Sequence, residues 1–439
     1  MTEPGTPTLL LTVDEALLPV AVQFVEAVAV AFGQGATGRL KLGLATEEIF
    51  AHLCHVTSGV DTVEIVCADG AYCTRVVYRL RGLRLDLKGL NMTAVRTGHP
   101  DDRLDDLELA IAARSVDRFH IVAEQDASVS LVVEKDKEYP RSPRVAAVWP
   151  PPTGDVTIES PDAARLKELA VRTAQAHPEA TTPAFFAFPG RVVDMVVGGE
   201  YRALAAIDAA GHVAGGALFH FPTDRIVRLV GPYMYGTGAE DDLAARVLDA
   251  CLMQVARSRA IGLLSTTGIP APLQPQFEVL GHLTHRRPED ENDDRELRTP
   301  VLYRLLQEDP GCTVWAHPDI TDYLEERYGT LILAREIRTD LDAGEARAAA
   351  SVFSAEIERQ RAEVTLRPLL PGDDAAANLE DHMALFRHEG LVNVFFELDL
   401  GVPWHATLVP ALLSQGLRPC VLVPLGGRAD LLLFQVHAT

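Results

Sequence analysis

Two periods of apolar residues alternate along this chain, and the switches between them mark its elements. Residues 9–13 alternate as a strand, and 14–32 carry the spacing of a helix with Asp14 placed to cap it. A second helix is predicted over 40–56. Strands over 63–68 and 73–80 flank Asp69-Gly70, a hairpin-turn pair. A helix over 105–116 and strands over 119–123 and 129–134 close this first segment. Helices beside a mostly antiparallel sheet predict an α+β sandwich.

A second segment opens with strand 156–159 and helix 161–176, which has a proline in its first turn. Strands 201–208, 212–221 and 226–230 follow, then a loop at 231–238, helix 241–259, strand 262–266, helix 272–280 and strand 299–306. A strand-like run at 330–337 precedes the third segment. There the pattern predicts helix 343–361, strand 364–368, helix 373–389, strand 391–398, helix 403–415, and strands 420–424 and 430–436 turned at Gly426-Gly427. Both later segments close on strand, helix, strand, strand, an order that points to internal duplication.

The seams are written in composition. Five of the fourteen residues 139–152 are proline, which neither a helix nor a central strand tolerates. Residues 289–296 hold six acids in eight positions and read as a solvated loop. The expected organisation is a multidomain α+β chain with units at 1–138, 155–339 and 340–439, and a proline-rich linker at 139–154.

At 439 residues, 47% hydrophobic and 23% charged, the chain has the make-up of folded domains. Its net charge of −22 argues against nucleic-acid and anionic-membrane partners. The six cysteines form no C-x-x-C pair, and the opening Met-Thr-Glu-Pro carries no basic leader, so a reduced, cytoplasmic, bacterial-type protein is expected. His52-Leu-Cys54-His55 and His282-x-x-His285 offer too few ligands for tetrahedral zinc, and no metal site is expected.

The run from Leu40 to His52, LKLGLATEEIFAH, together with LELAIAARSVDRF at 107–119, resembles the histidine-kinase-like ATPases, nearest the anti-sigma-factor serine kinases. The likeness covers about residues 8–137. It implies a base at Glu48 and, four residues on along the same helix face, an asparagine that holds Mg²⁺; His52 stands there instead. Leu80 stands where the adenine-binding aspartate belongs, beside Gly82. The second glycine motif corresponds to Asp105-Asp106-Leu107-Glu108, where three acids would repel phosphate. Mg-ATP is therefore not expected. The resemblance implies a protein partner of sigma-factor or anti-sigma-antagonist type.

Residues 155–306 resemble the GCN5-related N-acetyltransferases (GNAT). The carrying residues are Tyr233-Met-Tyr-Gly236-Thr-Gly238-Ala239, Phe277-Glu-Val-Leu-Gly281-His282 and the closing run 299–305. The resemblance implies a splayed strand ending in a glycine loop, with coenzyme A or acetyl-CoA held by Val230, Gly236, Thr237, Gly238 and Ala239 at a helix N-terminus. Glu240, Asp241 and Asp242 follow directly: they oppose a diphosphate if they face it and admit one if they turn outward. Glu200 and His220 are the candidate bases, and no tyrosine acid falls within 272–280. Residues 392–435 resemble the C-terminal half of the same fold without its phosphate loop. There Trp404, His405, Phe395 and Phe396 are candidates to line a pocket. Three classes of function stay open: a regulatory protein sensing acyl-CoA, an active N-acetyltransferase, and a ligand-free scaffold.

Overall fold

The computed structural model describes residues 6–56, 61–81, 91–93, 108–123, 129–143, 149–178, 182–235, 240–267, 269–286, 296–341, 347–358 and 361–436. In the first unit β1 (Thr8–Thr12) is followed by α1 (Leu18–Ala31), α2 (Ala36–Val56), β2 (Thr62–Asp69), β3 (Cys73–Arg81), α3 (Glu108–Ser115), β4 (Arg118–Ala123) and β5 (Val129–Asp136). The Asp14 carboxylate accepts the Ala16 N–H at 2.9 Å, capping the short turn ahead of α1. The strands pair antiparallel in the order β1-β2-β3-β5-β4. Val25, Leu42 and Ile49 of the helices pack on Ile65, Tyr78 and Leu131 of one sheet face. Alternation sends Arg75, Arg118 and Glu134 to the other face, where Glu134 lies opposite both arginines in the ladders.

The second unit contributes β6 (Thr157–Glu159), α4 (Ala163–Ala176), α5 (Pro189–Val197), β7 (Arg202–Ile207), β8 (Val213–His220), β9 (Ile226–Met234), α6 (Glu240–Val255), β10 (Gly262–Ser265), β11 (Glu278–His285) and β12 (Leu297–Leu305). Next come β13 (Cys312–Trp315), α7 (Pro318–Leu331), β14 (Arg335–Arg338), β15 (Val352–Glu358), β16 (Glu363–Leu370) and α8 (Ala375–His388). The chain ends with β17 (Asn393–Asp399), α9 (Pro403–Ala406), α10 (Val409–Ser414), β18 (Leu417–Val423) and β19 (Leu431–Val436).

Twelve of these strands form one mixed sheet, ordered β15-β16-β17-β19-β18-β11-β12-β10-β9-β8-β7-β6. The order β8-β9-β10-β12-β11 on one side matches β15-β16-β17-β19-β18 on the other. Each set has a single parallel pair, β9 with β10 and β16 with β17, spanned by α6 and α8. The two sets meet through equivalent strands, β11 and β18. The strand order thus repeats, as the shared closing order of both segments suggested.

The join is narrow. β11 and β18 pair at one position, Gly281 with Val421. A Cβ on Gly281 would stand 1.9 Å from the Cys420 carbonyl oxygen, so only glycine permits the approach. Beyond it the strands part, and two buried amides span the gap. Gln435 accepts the Thr284 N–H at 3.0 Å and donates to the Thr284 carbonyl. Asn393 accepts the Arg286 N–H at 2.8 Å and donates to the Arg286 carbonyl at 2.9 Å. Each side chain does for β11 what a neighbouring peptide group does in a ladder.

β13 and β14 form a separate parallel pair joined by α7. Arg335, wholly buried, ties this piece down by donating to Asp430 at 2.7 Å and to Asp309 at 2.7 Å. The first unit is stitched to the third as well. Asn91 bonds the backbone of Ser351 and Phe353 at 2.7 and 3.0 Å, Thr93 donates to Asn378 at 3.1 Å, and Met92 joins the third unit's core.

Four expectations are corrected. The helix expected over 343–361 is replaced in its described part by β15. Val352, Phe353 and Ile357 serve a strand as well as a helix, and the open edge of β16 takes them in register. The helix expected over 272–280 is a short 3₁₀ turn, Ala271–Gln276, because Pro275 removes a donor inside it, and the chain enters β11 at Glu278. The run at 330–337 is the end of α7 followed by β14; Ile320, Leu324 and Tyr328 form the buried face of a helix that the strand reading missed. The helix expected over 403–415 divides into α9 and α10, with Pro410 at the start of the second. Among the described residues no helix is long and apolar enough to cross a membrane.

Arg335→Met leaves two carboxylates without their cation; urea unfolding should read a loss of about 3–5 kcal/mol. Gly281→Ala should lower the melting temperature by several degrees, while alanine at the open Gly199 turn, which has φ +80° but nothing within 4 Å, should cost less.

Candidate functional site

The second unit's parallel pair opens as the resemblance implied. β9 and β10 run together from Ile226–Gly262 to Leu229–Ser265, after which β10 ends and β9 continues along β8. Tyr233 lies in that opening. Its hydroxyl lies near Thr267, just past β10, and its ring meets Phe186 edge-on at 5.4 Å and His177 at 4.9 Å. Tyr235 donates to the Leu169 carbonyl at 3.1 Å and bonds Thr173. Burial raises both phenols above their ordinary range and lowers His177, so this lining is neutral at physiological pH. Val230 is 5% exposed, paired with Leu218, and its side chain belongs to the core. Gly236, Thr237, Gly238 and Ala239 lie outside the described residues. Asp241 and Asp242 are exposed in the first turn of α6, the outward arrangement that leaves an anion admissible.

The candidate bases stand elsewhere. His220 pairs with Arg228 in the ladder where Tyr233 pairs with Gly216, which puts His220 four residues, roughly 14 Å, along β8 from the opening. Its ring stacks on Tyr201 at 4.5 Å, and burial, then the Arg228 charge, pushes it down to about 4. Glu200 is exposed and accepts the Tyr72 hydroxyl of the first unit at 3.2 Å. Neither is brought to the splay.

Glu48 sits on α2, its carboxyl raised by burial, then by Glu108 and Glu47. His52, in the asparagine position, is 4% exposed with Nδ1 3.6 Å from Glu108, and His55 Nδ1 is 3.3 Å from the same carboxylate. Leu80 is core. Gly82 and residues 105–107 lie outside the described residues. Among the described residues no group of three or more His, Cys, Asp or Glu is arranged to hold a metal ion.

A polar cleft of about 710 Å³ opens where the three units meet. The first unit lends the row Arg75-Glu134-Arg118, the second Glu200, and the third Arg367, Trp404, His405 and Arg428. Burial raises the Glu134 carboxyl, but Arg118 and Arg75 outweigh it and hold it below its usual range. Arg367 joins Glu356 at 2.6 Å and also Glu397. Asp399 is held by the backbone N–H groups of Gly401 and Arg428, each at 2.8 Å. His405 is 8% exposed, its Nδ1 has no partner among the described residues, and burial pushes it down to about 4. Of the four aromatic candidates, Trp404 and His405 line this cleft, Phe396 is core, and Phe395 is buried beside His285. The arginine–glutamate row escaped sequence reasoning. Its members alternate with apolar residues on three strands, but only the register shows that they touch.

No family model and no curated protein matches the chain. Solved structures do align with part of it. One is a GNAT superfamily phosphinothricin acetyltransferase from Sinorhizobium meliloti in complex with AcCoA: identity 19%, covering 35% of this chain and 89% of that one, TM-score 0.28. Another is an aminoglycoside 6'-N-acetyltransferase from Enterococcus faecium: 12%, 35% and 99%, TM-score 0.28. A third is an N-acetyltransferase from Staphylococcus aureus Mu50: 9%, 35% and 99%, TM-score 0.27.

His405 and the wholly buried His382 are both pushed from the ordinary 6.5 down to about 4 by burial. Unfolding exposes imidazoles that take up protons between those values. Stability should therefore be full above pH 6.5 and fall as pH drops toward 4, by on the order of 2 kcal/mol for each histidine. Melting curves from pH 7.5 to 4.5 should show the decline, and His405→Gln should flatten it.

Proposed function

We propose that this chain is a regulatory protein in which a GNAT-like unit senses coenzyme A or acetyl-CoA and reports to the first unit. On this reading the first unit is a degenerate relative of the histidine-kinase-like ATPases. Its helical face grips a protein partner of sigma-factor or anti-sigma-antagonist type. The observation that supports the reading is a continuous aromatic chain from the splay to the first unit. Tyr233 meets Phe186 at 5.4 Å, Phe186 meets Phe185 at 4.8 Å, and Phe185 meets Tyr201 at 5.8 Å. Tyr201 adjoins Glu200, which accepts the Tyr72 hydroxyl. A pantetheine arm entering between β9 and β10 has to displace the Tyr233 ring from the opening, and the packed rings carry that displacement toward Tyr72. The absence of either candidate base from the splay favours sensing over turnover.

Acyl transfer is the second reading, and one contact favours it. His177, kept neutral by burial, lies against Tyr233 at the opening, in the protonation state a base requires.

Coenzyme A should raise the melting temperature by several degrees, Mg-ATP should leave it unchanged, and Gly238→Glu should abolish the coenzyme's effect. Coenzyme A should also alter amide exchange around Tyr72 in the wild type. In Phe185→Ala it should still bind but leave that region unchanged. Release of free thiol from acetyl-CoA with an amine panel, lost in His177→Ala, would replace sensing with catalysis. Failure of coenzyme A to bind at all would sink both readings.

A further inference from the structure

The join between the two repeats encloses a second cavity, of about 470 Å³, independent of the splay and of the three-unit cleft. It lies where β11 leaves β18 beyond Gly281, with the bridging amides of Gln435 and Asn393 among its lining. Three arginines enter it: Arg286 after β11, Arg298 on β12 and Arg327 on α7. Arg286 is matched by Glu296 at 2.8 Å. The other two have no carboxylate partner among the described residues. Arg298 points a nitrogen at His282 Nδ1, 3.4 Å away, and Arg327 donates to the Val279 carbonyl at 2.9 Å. Burial, then the charges of Arg298 and Arg327, holds His282 below its ordinary pKa, so both guanidinium groups act on one imidazole.

Such a cluster is unexpected in a chain of net charge −22. Two like charges gathered beside one imidazole repel each other, and among the described residues only one of the three arginines has a carboxylate partner. Guanidinium groups recognise planar and tetrahedral oxyanions through paired N–H donors. Among the described residues the uncompensated charge is two, which matches a phosphate dianion and exceeds a single carboxylate.

We propose that this cavity binds a small phosphate-bearing ligand, gripped by Arg298 and Arg327 with His282 beside them. The ligand then bears on both repeats, since His282 and Arg298 belong to one, while Arg327 comes from the α7 piece that Asp430 of the other repeat holds through Arg335. Occupancy stiffens the join that rests on Gly281 and the two amides.

Calorimetric titration and thermal melting of the full chain with pyrophosphate, inorganic phosphate and acetate, at constant ionic strength in chloride, test the assignment. Pyrophosphate and phosphate should bind saturably and raise the melting temperature, and acetate should do neither. Arg298→Ala and Arg327→Ala should each weaken binding by about tenfold, and Arg298→Lys by less, while Arg338→Ala, at a surface pair with Glu336, should change nothing. The lysine variant separates loss of the paired donors from loss of the fold. No saturable phosphate binding in the wild type, or equal binding in the Arg298→Ala/Arg327→Ala double variant, overturns the proposal.

Discussion

The twelve-stranded sheet depends on one close approach between backbones. At Gly281 the second unit comes near enough to Cys420 and Val421 of the third for a strand pairing, and no other residue type leaves room for it. Past that point sheet twist drives the strands apart, and the ladder would end with unpaired polar groups. Gln435 and Asn393 prevent this by extending amide groups across the gap. The cavity at the join, the line of the two repeats and the position of the first unit against β15 all follow from that contact.

The two repeats have taken different courses on the same topology. In the second unit the parallel pairing ends at Ser265, and the buried Tyr233 occupies the space beyond it. In the third, the corresponding place near the start of α8 is taken by the protein itself. Gly372 packs so tightly on Ser351 that a Cβ would meet its nitrogen at 2.1 Å, and Asn91 and Thr93 of the first unit bond Ser351 and Asn378. The place beyond the parallel pair is filled by Tyr233 in one repeat and serves as an attachment point for the first unit in the other.

Buried charge is handled by pairing at two places. Arg335 lies between two aspartates, and Glu134 lies between two arginines whose attraction outweighs the penalty of burial. The three-unit cleft follows this rule, with four arginines facing Glu134, Glu200, Glu356 and Asp399. In the cavity at the join Arg298 and Arg327 have no carboxylate partner among the described residues.

Local pattern was enough for most elements. Asp14 capped the short turn that leads into α1, Asp69-Gly70 turned β2 into β3, and the strands expected in the second unit formed as consecutive antiparallel neighbours. Those features depend on neighbours in sequence, and neighbours in sequence are legible. The residues 352–358 could serve a helix or a strand, and only the vacant edge of β16 decided between them. The roles of the side chains were decided later still. Glu200 and His220 looked like bases for one site, and register separated them. Arg75, Arg118 and Glu134 drew no reading from the sequence, and register brought them together. Hydrophobic period specifies which way a side chain faces, but what it faces depends on how distant strands align.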